Sequence, residues 1–319
     1  MIIKKRGKPI RLLKLEALVR RLSTKNQKFF QVEKELISRR SGNRGENSID
    51  YHLTFLPKNE YFILHDLRLK NASGYFFQID TLILSPYFFT IIEVKNYSGT
   101  IQFDHYFHQL IQMYNGEKRA FPDPTSQINR HQVQLKEWLH AYTSTLPPIE
   151  PLIVISNPSA IIETTSHPFH FKHITHSINI ESKIKLFHQK YQTAILSKNE
   201  LEQISNLLIN NHTPLKFDPL AYFKIDRQEL LKGVHCPTCT FLPMTRLHGR
   251  WKCPSCKFIS KKAHIDALKD YSLLLGKTIS NRQMCEFLYL PSRFVANRLL
   301  HSMNLSHSGG TKSRKYFLK

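Results

Sequence analysis

Three residues in the first third of the chain have the types and spacing of a metal-binding site with a cation beside it. Asp80 ends the string Gln-Ile-Asp, and Glu93 and Lys95 bound the later string Glu-Val-Lys. Side chains two residues apart on a strand leave the same face of a sheet, so Glu93 and Lys95 are expected to lie side by side. Hairpin pairing of two consecutive strands would bring the Asp80 carboxylate next to that of Glu93.

The surroundings of the two carboxylates indicate a divalent cation. Both stand in runs rich in Ile and Leu, where a carboxylate is costly to bury unless it holds a cation. Mg²⁺, or Mn²⁺ in its place, prefers oxygen ligands and bridges to phosphate. Lys95 beside the ion would orient or help to deprotonate an attacking water and neutralise charge that develops on phosphate. The alternative for Glu93 and Lys95 is an ordinary ion pair on a solvated strand face.

The hydrophobic pattern places these residues on strands of an α/β domain. Three runs rich in Ile, Phe, Tyr and Leu predict strands at 61–69, 76–85 and 88–94. A further buried strand is predicted at 151–156. Together with the helices between them, these strands predict a mixed β-sheet flanked by helices.

Helical patterns lie on both sides of the strand-like runs. Residues 1–35 carry a rough leucine stripe, and 126–142 predict a helix with Ser126 as its N-cap. The run at 41–45, Ser-Gly-Asn-Arg-Gly, is expected to break the first helix. Glu46 would then open a second helix that ends near the next proline.

Together these motifs resemble a known group of nucleases. The set of Asp80, Glu93 and Lys95 is similar to the core motif of the PD-(D/E)-x-K nucleases. The string Glu-Val-Lys-Asn-Tyr-Ser-Gly that starts at Glu93, with a Gly-Glu pair ending at Glu46 upstream, resembles the nuclease-related domain (NERD) family over roughly residues 40–155. The resemblance implies a restriction-endonuclease-like core and a metal-dependent phosphodiesterase.

The resemblance also implies roles for individual residues. Asp80 and Glu93 would bind Mg²⁺ or Mn²⁺, and Lys95 would be the catalytic lysine. Glu46 would be the acid of the first core helix, and Gln127 the glutamine on the second core helix. The residues alone leave two alternatives open: Glu46 as an acid favoured at a helix N-terminus, and Gln127 as an exposed polar residue. The proline of the motif's name is absent, at a position that varies widely among these nucleases.

Four of the five cysteines are spaced as a zinc site. Cys236 and Cys239 form one Cys-x-x-Cys pair, and Cys253 and Cys256 form a second after 13 intervening residues. Four thiolates satisfy tetrahedral Zn²⁺, so we predict a zinc ribbon with one structural ion. The alternative is two redox-active pairs, which fits less well because neither pair opens a helix in a βαβ context.

The C-terminal segment has the pattern of a helix-turn-helix. One short helix is predicted from Ser280 to Leu288, and another begins at Pro291. Helix pairs of this kind also occur in domains that never contact DNA. The side chains predicted to bind nucleic acid lie in this segment and beside the cysteines: Arg250, Lys252, Arg293, Arg298, Lys312 and Arg314.

The distribution of charge indicates a polyanionic partner. The chain has a net charge of +22. Residues 1–45 hold 14 basic and 3 acidic residues and residues 206–319 hold 19 and 6, whereas residues 46–205 hold 13 and 15. Two basic ends around a slightly acidic middle suit contact with nucleic-acid phosphates. The alternatives are a solubilising surface or an anionic membrane, although no strongly amphipathic membrane helix is evident.

These patterns predict a division of the chain into five parts. They are a basic helical segment (1–39), a nuclease-like domain (40–155), a core extension and linker (156–232), a zinc ribbon (233–260) and a basic helix-turn-helix-like segment (261–319). We expect a cytoplasmic protein without a membrane partner, because the sequence shows no apolar run of bilayer or signal-peptide length.

Two functional hypotheses follow from the sequence. The first is a Mg²⁺-dependent nuclease that hydrolyses DNA phosphodiester bonds and is delivered to DNA by the zinc and helical segments. The second is a catalytically inactive DNA-binding or regulatory protein that uses those same segments. An RNA-directed role is weaker, because no signature of an RNA-binding module appears.

Overall fold

The computed structural model describes residues 1–104, 106–164, 172–310 and 313–318. The chain divides into two compact units, each containing two stretches of sequence. The first unit contains Met1–Lys8 and Arg39–Leu215, and the second contains Pro9–Ser38 and Lys216–Lys319. Within the described part of the chain, no helix combines the length and the apolar character needed to cross a membrane.

Helices and strands alternate along the chain in the manner of a mixed α/β protein. The described helices are α1 (Ile10–Arg21), α2 (Phe29–Leu53), α3 (Pro124–His140), α4 (Ile180–Lys190), α5 (Lys198–Asn210), α6 (Pro219–Phe223), α7 (His264–Leu274), α8 (Asn281–Leu288) and α9 (Arg293–Ser302). The described strands are β1 (Ile2–Lys4), β2 (Phe62–Lys70), β3 (Phe76–Leu84), β4 (Phe89–Lys95), β5 (Thr100–Asp104), β6 (Gln109–Tyr114), β7 (Glu117–Pro122), β8 (Ile149–Ile155), β9 (Ile161–Thr164), β10 (Ile174–His176), β11 (Thr245–Leu247), β12 (Arg250–Lys252), β13 (Ile259–Ser260), β14 (Thr278–Ile279), β15 (His307–Ser308) and β16 (Lys315–Phe317).

The first unit is built on a mixed sheet of six described strands in the order β1-β2-β3-β4-β8-β10. Strands β2, β3 and β4 pair antiparallel, whereas β1 runs parallel to β2, and β8 runs parallel to both β4 and β10. A parallel pair needs a crossover connection, and the chain between β4 and β8 contains helix α3. The predicted mixed sheet flanked by helices is confirmed, and the four predicted strands lie within two residues of β2, β3, β4 and β8.

Apolar side chains fill both faces of this sheet. On one face, Ile128 and Leu135 of α3 belong to a core with residues of β2, β3, β4 and β8, and α5 adds Leu201. On the other face, Ile49 of α2 and Ile184 of α4 belong to a second core with alternate residues of the same strands. Burial on both faces explains why these strands are nearly continuous apolar runs.

A second sheet in the first unit consists of β7, β6, β5 and β9 in that order. Ile101, Phe103 and Leu110 are its fully buried apolar residues, and they join the core that contains α3. No element was predicted here, because these short strands are rich in polar residues and lack a sustained alternation of apolar and polar side chains.

The predicted helix break at 41–45 is wrong, because α2 runs without interruption from Phe29 to Leu53. Gly45 has another function. A Cβ atom at this position would lie 2.6 Å from both Asn96 Cβ and Ser156 Oγ, so the missing side chain lets the helix approach the ends of two strands. Glu46 therefore stands inside a helix and not at a helix N-terminus.

The N-cap of α3 also differs from the prediction. Asp123 is the N-cap, since its side chain accepts a hydrogen bond from the Thr125 amide at 2.8 Å, and Pro124 occupies the first helical position. Ser126 is inside the first turn. The shift does not change which face of the helix meets the sheet.

The second unit contains the zinc-ribbon strands β11, β12 and β13, followed by α7, α8 and α9 and the sheet order β14-β16-β15. The two predicted short helices are confirmed as α8 and α9, and Ser280 and Ser292 cap them through their hydroxyl oxygens. Trp251 of β12 and Tyr316 of β16 are both buried in one core with residues of these helices. The ribbon and the helices therefore share a common core.

Candidate active site and candidate metal centre

The five residues that the sequence analysis assigned to a catalytic site lie together in the first unit. They line one cleft with a volume of about 460 Å³, and they come from α2, β3, β4 and α3: Glu46, Asp80, Glu93, Lys95 and Gln127. Residues separated by up to 81 positions in sequence are therefore brought to a single place.

The antiparallel pairing of β3 with β4 places the two acidic residues next to each other. Thr81 pairs with Ile92 in this ladder, and beyond that pair Asp80 Oδ2 accepts a hydrogen bond from the Val94 amide at 3.0 Å. Burial and the neighbouring Glu93 carboxylate raise the pKa of Asp80 to about 7. Two carboxylates that disfavour each other's charge would gain most from a shared cation.

Glu93 has one satisfied and one unsatisfied carboxylate oxygen. Its Oε1 accepts hydrogen bonds from Lys95 Nζ at 2.8 Å and from Gln127 Nε2 at 2.7 Å. Its Oε2 is buried and has no hydrogen-bond partner among the residues that the structure describes. Burial also raises the pKa of Glu93. A buried acceptor oxygen without a donor fits a position for a metal ligand, because the cation would satisfy it.

Lys95 is held as a cation. It is half-buried, and its Nζ donates to Glu93 Oε1 and to Gln127 Oε1, the latter at 3.0 Å. The nearby Glu93 and Asp80 carboxylates outweigh burial and raise the pKa of Lys95. A protonated amine can donate hydrogen bonds and neutralise charge, but it cannot accept a proton from water. Of the roles predicted for Lys95, orienting a water and neutralising charge on phosphate therefore fit this geometry, whereas deprotonating the water does not.

Glu46 reaches the same cleft from α2. Its Oε2 accepts a hydrogen bond from Arg6 Nη1 at 3.1 Å. Burial and then the Asp80 charge raise the pKa of Glu46 to about 8. The alternative of a helix N-terminal acid does not apply, since Glu46 lies well inside α2.

The cleft is also lined by residues that were not predicted from the sequence, among them His131 and Arg130. His131 lies one helical turn after Gln127 on α3, and its Nδ1 is 3.7 Å from Glu93 Oε2. Burial and the charge of Lys95 lower the pKa of His131 to about 4, so the ring is neutral. Arg130 is exposed at the cleft. The spacing of Gln127, Arg130 and His131 along one helix could have identified this face.

The four predicted zinc ligands converge in the second unit. Each offers one sulfur atom, and these atoms lie within 4.8 Å of one another: Cys236, Cys239, Cys253 and Cys256. The Sγ atoms of Cys236 and Cys256 are 3.5 Å apart, and so are those of Cys239 and Cys253. This spacing suits four thiolates around one tetrahedral ion, with Zn–S bonds of about 2.3 Å. The cluster fits the predicted zinc ribbon and can bind a metal such as zinc.

The residues predicted to bind nucleic acid lie on three parts of the second unit. Arg250 and Lys252 are exposed on β12, and Arg293 and Arg298 are exposed on α9. Arg314 is half-buried just before β16. Lys312 lies outside the described residues.

Comparisons with known proteins agree with the geometry of the first unit. The nuclease-related domain family matches residues 41–156. An uncharacterized protein of Bacillus anthracis is 22% identical over 178 residues, which cover 56% of this chain and 80% of that protein. No solved structure matches the chain significantly. The matched residues contain Glu46, Asp80, Glu93, Lys95 and Gln127, so the similarity to the nuclease-related domain family covers the whole candidate active site.

Proposed function

We propose that this chain is a metal-dependent nuclease that hydrolyses phosphodiester bonds of DNA in the cleft of its nuclease-related domain. The observation that carries the proposal is the surroundings of Glu93. One of its oxygens is held by Lys95 and Gln127, and the other is buried without a donor among the described residues. In an ordinary ion pair on a solvated strand face, the Glu93 carboxylate would be exposed, and water would satisfy both of its oxygens.

Asp80 and Glu93 are the residues that would hold the cation. Two carboxylates, with the other positions left to water and substrate phosphate, match the way Mg²⁺ is usually bound at phosphoryl-transfer sites. A bound Mg²⁺ or Mn²⁺ would supply Lewis acidity to the phosphate and lower the pKa of a bound water. The hydrogen bond from the Val94 amide to Asp80 Oδ2 fixes one side of the site.

Lys95 is proposed to stabilise the charge that develops on phosphate. Its Nζ is a cation at the wall of the cleft, and a lysine ammonium has three donors. Two of these are used by Glu93 and Gln127, which leaves one for a phosphate oxygen. Gln127 is proposed to orient both Lys95 and Glu93 through the two ends of one amide.

The second unit is proposed to bind the DNA. Arg246 of β11 lies over the Trp251 ring at 5.0 Å, and burial, followed by the charge of Arg298, lowers the pKa of Arg246. Positive side chains from the zinc ribbon and from α9 therefore lie near each other, an arrangement that a phosphate backbone would neutralise. The helix pair α8 and α9, followed by β15 and β16, is the arrangement in which a second helix enters a DNA groove.

The five predicted parts of the chain would divide the work between them. In this division, residues 40–155 carry the catalytic site, residues 156–232 extend the core, and residues 233–260 and 261–319 bind DNA. The alternative is a catalytically inactive DNA-binding protein, and DNA-cleavage assays distinguish the two.

The test is the cleavage of linear and circular DNA by the purified zinc-loaded chain, with Mg²⁺ or Mn²⁺ and without either ion. We expect cleavage that depends on the added ion and is lost in Asp80→Ala and Lys95→Ala. Circular DNA is cut only by an endonuclease, so the pair of substrates also distinguishes internal from terminal cleavage. Lys136→Ala is a control, because Lys136 is on α3 but does not line this cleft.

Each outcome bears on the proposal. Equal cleavage by the wild type, Asp80→Ala and Lys95→Ala would assign the activity to a different site or to a contaminant. DNA binding by all variants without cleavage by any would support the inactive DNA-binding protein instead.

A further inference from the structure

The N-terminal strand brings an arginine to the back of the candidate active site. β1 pairs parallel to β2 at the edge of the main sheet, and Arg6 follows it by two residues. Met1–Lys8 belongs to the first unit although the nuclease-related domain family matches only residues 41–156. Nothing in the local sequence around Arg6 predicted this position.

Arg6 is buried in a polar network that joins α2, β2 and β3. Its side chain is only 4% exposed. Nη1 contacts Glu46 Oε2 at 3.1 Å, Asp66 Oδ1 at 3.0 Å and Asp80 O at 3.4 Å. Nη2 contacts Thr81 Oγ1 at 2.9 Å, His65 Nδ1 at 3.0 Å and Asp50 Oδ1 at 3.4 Å. Nε contacts both carboxylate oxygens of Asp50 at 3.4 Å. One guanidinium therefore contacts three carboxylates and two strands.

The shape of the guanidinium is essential to this network. Nη1 faces Glu46 and the backbone of Asp80, while Nη2 faces Thr81 and His65. A planar fork with five donors can contact both sides at once, whereas a lysine ammonium would keep the charge but lose the fork. The network thus depends on geometry as well as charge.

The same contacts join β2 to β3 at Asp80. The ladder pairs that flank Asp66 place it opposite Asp80 on the neighbouring strand. Asp66 has a φ of +51°, a left-handed conformation that costs free energy for a residue other than glycine. Arg6 bonds to the Asp66 carboxylate and to the Asp80 carbonyl, and so bridges the two strands at this strained residue.

Arg6 does not itself line the cleft, although Glu46 and Asp80 do. It therefore acts behind the residues that would contact the cation and the substrate. Supporting contacts of this kind orient metal ligands, and their loss commonly weakens metal binding by about 10- to 100-fold.

We propose that Arg6 is a positioning residue of the nuclease site, which sets the Glu46 carboxylate and the Asp80 backbone for divalent-cation binding and catalysis. This inference rests on the proposed function. It extends the functional site beyond the matched domain, because a residue from the first eight positions of the chain completes it.

The test compares Arg6→Lys with the wild type by titrating Mn²⁺ into the full zinc-loaded chain and following the free ion by electron paramagnetic resonance. We expect the Kd for Mn²⁺ to rise about 10-fold or more. In cleavage assays at saturating Mn²⁺, we expect kcat to fall by a similar factor with little change in KM for DNA. Arg11→Lys is the matched control, since Arg11 pairs with Glu35 in the second unit.

A second variant keeps the test decisive if Arg6→Lys does not fold. Thr81→Val removes one of the three acceptors of Nη2, and the hydroxyl partner of His65 Nδ1, without changing charge or volume. We expect a loss of Mn²⁺ affinity in the same direction, by about 3-fold or more, because one charge-assisted hydrogen bond of the guanidinium is lost while its other contacts remain. Wild-type Mn²⁺ affinity and wild-type kcat in the folded variants would overturn the role of Arg6, even if their melting temperatures fell. Absence of cleavage by the wild type would overturn the proposed function alone, because the Mn²⁺ titration still decides whether Arg6 positions the site.

Discussion

The side-chain amide of Gln127 donates to Glu93 Oε1 at 2.7 Å, and this contact ties the second core helix to the strand that carries the catalytic motif. The carbonyl end of the same amide accepts from Lys95 Nζ at 3.0 Å. Gln127 therefore fixes a carboxylate and an ammonium group at once, and it leaves the second oxygen of Glu93 facing the cleft residue His131.

Replacement of Gln127 by leucine is expected to reduce catalysis more than stability. Lys95 and Glu93 would each lose one hydrogen bond, and a misplaced charged pair in a buried site lowers kcat. We expect kcat for DNA cleavage to fall by about 10-fold or more, with a melting temperature near that of the wild type. Gln203→Leu is the control, since Gln203 is exposed on α5 of the same unit. Equal kcat in both variants would show that the amide of Gln127 has no catalytic role.

Removal of zinc is expected to unfold the second unit selectively. Cys236 and Cys253 lie in the same core as Trp251, so loss of the ion would expose that core. The other tryptophan, Trp138, belongs to the core of the first unit. In a Trp138→Phe background, chelation should therefore shift the remaining fluorescence to longer wavelength.

The matching measurement uses Trp251→Phe, in which chelation should leave the fluorescence nearly unchanged. Elemental analysis of the purified chain should find one zinc ion per chain. Disulfides in place of zinc, or an unchanged Trp251 spectrum after chelation, would favour the redox interpretation of the cysteines.

The salt dependence of DNA binding should report on the exposed arginines of α9. Neutralising a phosphate releases a counterion. The slope of log K against log salt is therefore negative, and each lost contact reduces its magnitude by about 1. We expect this change for Arg298→Ala, with a weaker affinity at low salt and an unchanged kcat at saturating DNA. Lys269→Ala on α7 is the control, because Lys269 is exposed and pairs with Asp266. An identical slope for Arg298→Ala and the wild type would remove α9 from the interface.

The stability of the first unit should fall at acid pH partly because of His65. Burial, followed by the charges of Arg6 and Lys4, lowers the pKa of His65 to about 3, and the Asp50 carboxylate lies 3.9 Å from its Nε2. The pKa of His65 in the folded state lies below its value of about 6.5 in the unfolded state. The contribution of neutral His65 to the free energy of unfolding is therefore complete above pH 6.5, and it is lost as the pH falls towards 3.

Urea unfolding at pH 7.5 and pH 5.0 checks this expectation. The free energy of unfolding of the wild type should lose about 2 kcal/mol more over this range than that of His65→Gln. The same loss in both proteins would assign the acid sensitivity to other groups, such as the carboxylates around Arg6.

The parts of the site that the sequence predicted are those set by short-range periodicity. Glu93 and Lys95 share a face because strand side chains alternate, and Asp80 joins them through a hairpin of consecutive strands. The spacing of the four cysteines was enough to predict the zinc site. In each case the residues that form the site lie within 20 positions of one another in the sequence.

The parts that the sequence did not predict depend on contacts between distant residues. Arg6 meets residues 40 to 75 positions away, and no local pattern records such a contact. Gly45 resembles a helix breaker in sequence, but its value lies in the close approach to Asn96 and Ser156. Tertiary contacts, and not local helix propensity, determine the roles of Arg6 and Gly45 in the fold.

The most direct test of the central claim is the single-turnover rate of DNA cleavage by the wild type and by Lys95→Met, measured as Mn²⁺ is varied. Lys95 is the one cation among the five residues that make up the proposed site. We predict a wild-type rate that rises with Mn²⁺ and saturates, and a rate about 100-fold or more lower in Lys95→Met at equal DNA affinity. A wild-type rate that is independent of the ion, or an equal rate in Lys95→Met, would contradict the account.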